Sequence, residues 1–329
     1  MCRRDGSGHA VHPTRGARPG PAVRIEGVTT VQQPAAGGGA GSVRKFLRLV
    51  MIEHSIFALP FAYIAALTAM WRETRSVHWV ELLLITIAMV SARTVAMSAN
   101  RILDRNFDAL NPRTARRELV TGELTVRTAE VGTVIALAIF LGSAAALSWL
   151  CLVLAPIAVV LLVLYSYGKR FTDFPQALLA LAQFVAPVGA WLAVTNHVSS
   201  AAVGLGIAVG TWIGGFDLIY SCQDAEIDRR IGSRSFPARF GIPTALMASA
   251  IVHVGTFAAF AWFGAAAGLG WLWWTGLALT AGVLVYEHLI VRPHDLSRVN
   301  RAFFTANGII GIGLFGFALA DLIVHGLQR

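Results

Sequence analysis

Charged side chains are scarce in this sequence. They make up 14% of its 329 residues, against about a quarter in an ordinary soluble domain, while 56% are hydrophobic. That balance excludes a conventional water-facing surface and makes a lipid bilayer the expected solvent. Cysteine is nearly absent as well: Cys2, Cys151 and Cys222 are the only three, placed so that no disulfide framework can be drawn, and free thiols are expected. Acidic residues number only 18 against 27 Lys and Arg, for a net charge of +9. In a soluble chain such an excess would invite a nucleic-acid partner; here its placement excludes one. The basic residues gather in the N-terminal tail and in every second break between apolar runs. Only Arg72, Arg75 and Arg329 fall on the other side, and Arg93 alone lies in the interior of a run rather than at its edge. No apolar stretch follows Arg3-Arg4, so a cleavable export signal is not expected. No soluble domain and no internal repeat can be picked out.

What the sequence does have is apolar length. A spanning helix needs about 20 mostly apolar residues, and nine such runs can be read, at 51–70, 79–99, 127–148, 150–168, 175–195, 201–219, 244–264, 270–291 and 303–325. The expected fold is an all-α membrane protein of nine transmembrane helices. The charge asymmetry places the N-terminus and the even-numbered exits in the cytoplasm, as expected of a multi-pass protein of the inner (cytoplasmic) membrane. Residues 1–41, rich in Gly, Pro, Ala and Arg, are expected to form a disordered basic tail near the anionic leaflet, and 42–329 the nine-helix domain.

Two polar stretches interrupt this pattern. At the end of the second run, Asn100, Asp104 and Asp108 recur every four residues, which stacks them on one helical face. At the end of the sixth, Asp217, Tyr220, Asp224 and Asp228 stand at offsets 0, 3, 7 and 11, again one face. Both ends exit on the same side, so the two faces can converge on one central cavity open to the cytoplasm. Acids at a helix end are ordinarily solvated or paired with nearby arginines, as Asp104 could be with Arg101 or Arg105. Two matching clusters in so acid-poor a chain carry a Coulomb cost that a cation would relieve. Hard oxygen ligands at a partly wet site suit Mg²⁺, which shares its shell with water and substrate phosphates. Cations for a phosphate stand nearby: Lys169 and Arg170 after the fourth run, Arg113, Arg116 and Arg117 after Asp108, and Arg230 and Arg234 after Asp228.

In these residues the chain resembles the UbiA superfamily of intramembrane aromatic prenyltransferases, whose members carry N-x3-D-x3-D after the second helix and D-x2-Y-x3-D-x3-D after the sixth. The flanks are similar too: Pro112 to Gly122, Tyr165 to Thr172, and Arg230 to Ser235. The resemblance runs from about residue 44 to the C-terminus. It implies that Asn100, Asp104 and Asp108 form one metal-binding face and Asp224 and Asp228 the other, with Asp217 and Tyr220 in support. Further segments, 52–61, Asn111 to Thr114, Tyr286 to His288 and Asn300 to Phe304, look most like the menaquinone-pathway branch often labelled 4-hydroxybenzoate polyprenyltransferase-like, which implies 1,4-dihydroxy-6-naphthoate as the acceptor.

The expected activity is therefore Mg²⁺-dependent transfer of a polyprenyl chain from polyprenyl diphosphate to a small aromatic acid. The catalytic candidates are Asp104, Asp108, Asp224, Asp228 and Lys169. Lys169, Arg113 and Arg117 are expected to touch the diphosphate directly, with Arg170 and Tyr220 also binding substrate. Arg93, seven residues before Asn100 and on its face, is expected either to pair with a motif acid or to bind the acceptor carboxylate. Glu53 and His54 are candidates to orient the acceptor hydroxyl, or to serve capping and packing. Two alternatives remain beside this reading: a 4-hydroxybenzoate polyprenyltransferase of ubiquinone-type biosynthesis, and, in another class, a cation-coupled transporter, whose sites should lie near the midplane on broken helices.

Overall fold

The structure, a computed structural model, describes residues 39–49 and 59–327. The expected tail apart from 39–41, the start of the first run, and Glu53 and His54 lie outside the described residues. Residues 39–41 open α1 (Gly39–Leu49), which packs Phe46 and Leu49 against Leu119, Leu124 and Ala129.

The described residues are helical throughout, with no β-sheet and one isolated bridge between Arg292 and Asp295. A helix stands at each of the nine expected positions: α2 (Leu59–Glu73), α3 (Trp79–Leu110), α4 (Val126–Leu147), α5 (Trp149–Tyr167), α6 (Pro175–Thr195), α7 (Ser200–Ser221), α8 (Ile242–Ala267), α9 (Trp271–Ile290) and α10 (Asn307–Val324). Among the described residues, seven of these helices are long and apolar enough to cross a bilayer, and they make the chain a multi-pass membrane protein. The other two are α2, whose described part has 15 residues, and α9. In α9 three tryptophans at the start and Tyr286-Glu287-His288 near the end lower the mean hydropathy.

Local chemistry explains the boundaries. Between α4 and α5 the whole turn is Ser148, whose hydroxyl accepts the Cys151 N–H at 3.1 Å and so caps α5 with one residue. Gly268, at φ +73°, ends α8, and Pro175 opens α6 at the first helical turn. The start of α9 is capped from across the bundle: fully buried Asp321 of α10 accepts the Gly270 and Leu272 N–H groups at 2.6 and 3.1 Å.

Two features place the polar stretches. Helix α3 runs unbroken for 32 residues, about 48 Å at 1.5 Å per residue, whereas a bilayer core is about 30 Å thick. Its last third is therefore free to carry Asn100, Asp104 and Asp108 beyond the core. Helix α7 is central: 78% of the most apolar stretch of its span is buried within the protein, against 11% for the span of α5. Glycines allow this. A methyl group on Gly210 would lie 2.5 Å from the Ala180 carbonyl oxygen of α6, and one on Gly215 would strike the His253 ring of α8. After Ser221 the chain tightens into a 3₁₀ turn, Cys222–Asp224, before the short helix Ala225–Ile231.

Candidate active site

The two motifs meet. A cavity of about 590 Å³ is lined at its polar end by Asn100 and Asp108 from α3 and by Asp217, Tyr220, Asp224 and Asp228 from α7 and its continuation. Its walls are otherwise largely apolar, contributed by α3, α4, α5, α6 and α7, and include Met89, Phe140, Leu154, Phe184 and Phe216.

The segment after α3 bridges the motifs. Arg113 donates from Nε to Asp224 Oδ1 at 2.9 Å, from Nη2 to Asp224 Oδ2, and from Nη1 to the Tyr220 hydroxyl at 3.1 Å. This is the two-pronged arrangement that a planar guanidinium makes with a carboxylate. Burial works against the charge of Arg113, yet the hydrogen bond and charge of Asp224 outweigh it and hold its pKa above the ordinary arginine value. Asn111 adds a third contact to Asp224, Nδ2 to Oδ1 at 3.0 Å. Arg117 donates to Asp108 Oδ1 at 2.5 Å. The sequence assigned both arginines to the diphosphate; in the structure each is paired with a motif acid across the cavity mouth.

Asp104 takes a different position. It is fully buried and does not line the cavity. Its Oδ2 accepts from Lys169 Nζ at 3.3 Å and from the Asn100 amide at 3.3 Å, and its Oδ1 accepts from Arg170 Nη1 at 3.2 Å. Arg170 also donates to the Leu103 carbonyl at 2.5 Å and lies over the rings of Tyr167 and Phe107, which fixes it beside α3 and off the cavity surface. Lys169 does reach the cavity. Asp228 accepts from the Ser235 hydroxyl at 2.7 Å, and Arg234 N–H donates to the Lys169 carbonyl at 3.0 Å, tying the segments after α5 and after α7 together at the rim.

Residues 58–309 match the UbiA prenyltransferase family over most of the chain. The chain belongs to this family. It is accordingly a prenyltransferase, and the transporter alternative is set aside. The 4-hydroxybenzoate octaprenyltransferase of Chromohalobacter salexigens is 28% identical over 284 residues, covering 86% of this chain and 94% of that protein. The apo structure of a UbiA homolog from Aeropyrum pernix is similar at a TM-score of 0.74 and 33% identity, covering 82% of this chain and 98% of that one. A UbiA homolog from Archaeoglobus fulgidus, bound to DMAPP and Mg²⁺, is similar at a TM-score of 0.65 and 21% identity over 85% and 99% of the two chains, a likeness of fold.

Arg93 of this UbiA-family chain lies in the cavity wall, deeper along α3 than Asn100. It forms no ion pair with a motif acid: Asp104 is taken by Lys169 and Arg170, Asp108 by Arg117, and Asp224 by Arg113. Its Nε is buried without a hydrogen-bond partner among the described residues. The pairing alternative read from the sequence is thus not what the structure contains.

Several members of the site escaped the sequence reading. Asn111 was seen only as part of a branch signature, although its place three residues after Asp108, at the end of α3, was a signal. Ser235 and Phe303 likewise appeared only within resembling segments, Arg230 to Ser235 and Asn300 to Phe304, and were given no role, because the contacts that bring them in join residues of separate segments.

The donor set fits a hard divalent cation. Every motif side chain at the cavity offers oxygen, and among the described residues no three acids or histidines come close enough to enclose an ion alone. Carboxylates so spaced can hold a cation only in ones and twos, leaving the rest of its shell to water or phosphate oxygens, as Mg²⁺ prefers.

Proposed function

We propose that this enzyme transfers a polyprenyl chain from its diphosphate to the ring of a small aromatic acid, with Mg²⁺ as cofactor. The observation that carries the reading is the junction of two acidic motifs from separate helices with Arg113, Arg117 and Lys169 at the mouth of a deep apolar cavity. The charge asymmetry supports a mouth on the cytoplasmic side of the inner membrane.

Asp108 with Asn100, and Asp224 with Asp228 and Asp217, are the residues that would hold the metal, while Asp104 holds Lys169 and Arg170 in place behind them. Bound Mg²⁺ would supply neutralising charge to the diphosphate leaving group. Lys169, Arg113 and Arg117 add fixed positive charge at the same point, so that the bond between the prenyl C1 and the diphosphate oxygen breaks with both electrons leaving on oxygen. Apolar walls below the mouth exclude water, which keeps the allylic cation for the aromatic ring; the ring carbon forms the new bond and gives up its proton to the released diphosphate. Arg93, charged and without a carboxylate of its own in the wall of this cavity, is assigned to the acceptor's carboxylate.

The acceptor reading departs from the branch signature. The relatives' names, exemplified by the 4-hydroxybenzoate octaprenyltransferase of Chromohalobacter salexigens, favour 4-hydroxybenzoate and the ubiquinone-type branch over 1,4-dihydroxy-6-naphthoate and the menaquinone branch. Membranes containing the protein, given a set of polyprenyl diphosphates and either acceptor, should yield a C-prenylated 4-hydroxybenzoate, identified by its mass, only when Mg²⁺ is present. Exclusive prenylation of 1,4-dihydroxy-6-naphthoate would return the menaquinone assignment.

A further inference from the structure

The chain entering α10 does not coil regularly. Val299–Arg301 is α-helical, Ala302–Ala306 forms a π turn, and the α-helix resumes at Asn307. A π turn inserts an extra residue into a helix, rotates the side chains that follow, and persists where something compensates it. Here the compensation is visible. Asn307, fully buried, donates from Nδ2 both to the Ala302 carbonyl that opens the π turn and to Glu287 Oε1 of α9, each at 3.3 Å. Glu287 is itself fully buried. Its neighbour His288 reaches the other way, to His253 Nδ1 of α8 at 2.9 Å, and His253 Nε2 lies 3.2 Å from the Trp212 carbonyl of α7. Adjacent residues of α9 thus tie the π turn on one side and the central helix on the other.

The π turn presents Phe303 to the cavity. Its ring lies 4.3 Å from that of Tyr220 and 5.1 Å, edge to face, from that of Phe216. Tyr220 in turn accepts from Arg113, which clasps Asp224. A buried carboxylate in an apolar bundle is costly unless it has a use, and the only described hydrogen bond of Glu287 is the one that holds the π turn.

We propose that Glu287 and Asn307 are positioning residues for prenyl transfer: they lock the π turn, and through Phe303 they set the place of Tyr220 and of the Arg113–Asp224 pair. This rests on the assignment of that pair to the diphosphate end of the site. The lock does not touch substrate, so its effect should appear in how the diphosphate end works and leave acceptor recognition alone.

The test is a kinetic double-mutant cycle on the full chain in lipid, with Glu287→Leu, Phe303→Leu and the two combined. Glu287→Leu should lower kcat and raise KM for the prenyl diphosphate, on the order of tenfold in kcat/KM, the scale at which a displacement well below 1 Å in a reacting group acts. KM for the aromatic acceptor should hold. Combined with Phe303→Leu it should add little, because both changes break one chain of contacts. Glu287→Gln, whose amide oxygen can still accept from Asn307, should retain most of the activity. Should Glu287→Leu fail to fold, Asn307→Ala takes its place in the cycle. Additive losses, an equal rise in acceptor KM, or a fall in thermal stability with unchanged kinetics would overturn the lock. A wild-type protein that transfers no prenyl chain would instead sink the functional assignment beneath it.

Discussion

Arg93→Lys isolates the proposed acceptor contact. In the cavity wall Arg93 supports no motif acid, and its Nε has no hydrogen-bond partner among the described residues, so the substitution orphans no described group. Folding and protein level should therefore hold. A hydrogen bond to a charged group contributes about 1.5–3 kcal/mol, and a guanidinium makes two such bonds to a carboxylate in a fixed fork that an ammonium cannot reproduce. Lysine keeps the charge, so the loss should fall at the lower end of that range. It corresponds to a KM for the aromatic acid raised roughly tenfold. Steady-state kinetics should show the apparent affinity for the prenyl diphosphate unchanged. A methyl ester of the acceptor should be a poor substrate for the wild type and should lose that disadvantage relative to the acid in the variant. Equal losses toward acid and ester would refute the reasoning and assign Arg93 to the integrity of the metal end.

Other substitutions separate the parts of the site. Asp108→Ala, Asp224→Ala and Asp228→Ala should each abolish nearly all transfer while leaving membrane insertion intact, as measured by product formation and by the amount of protein in the membrane fraction. Asp104→Ala should do the same and also cost about 1–3 kcal/mol of stability, because Lys169 and Arg170 lose their shared carboxylate, with the figure kept low by the solvent access of both cations; thermal unfolding in detergent reads it, and a midpoint equal to that of wild type would contradict the buried role. Lys169→Ala should raise KM for the prenyl diphosphate and leave that for the acceptor alone; an unchanged diphosphate KM would return Lys169 to a role in topology. Gly210→Ala, whose methyl would press on the Ala180 carbonyl, should destabilise α6 against α7 by about 1–3 kcal/mol in the same thermal assay.

The four-residue recurrence of Asn100, Asp104 and Asp108 was enough to place them on one helix face, and the distribution of arginines was enough to bring the ends of α3 and α7 to the same side. Both inferences need only local geometry and charge. What spacing cannot reveal is which residue faces the cavity once the helices pack. Asp104 has the same motif credentials as Asp108, yet the packing of α3 turns it to Lys169 and Arg170. The second motif does not continue as one regular helix either, since the 3₁₀ turn at Cys222–Asp224 shifts Asp224 and Asp228 relative to Asp217. Arg113 meets Asp224 across 111 positions of sequence, a contact that no local periodicity encodes. The nine apolar runs each gave a helix, and among the described residues seven are long and apolar enough to span a bilayer; in α9 the tryptophans counted as apolar although their indoles suit an interface.

The central claim is that both acidic motifs act together on one diphosphate. It is tested most directly by following release of inorganic diphosphate from a polyprenyl diphosphate in the presence of acceptor, for wild type, Asp108→Ala and Asp224→Ala, with Mg²⁺ and with a chelator. The account predicts release in step with prenylated product for wild type with Mg²⁺, and almost none for either variant or in the chelator. Turnover near the wild-type rate by either variant would contradict it.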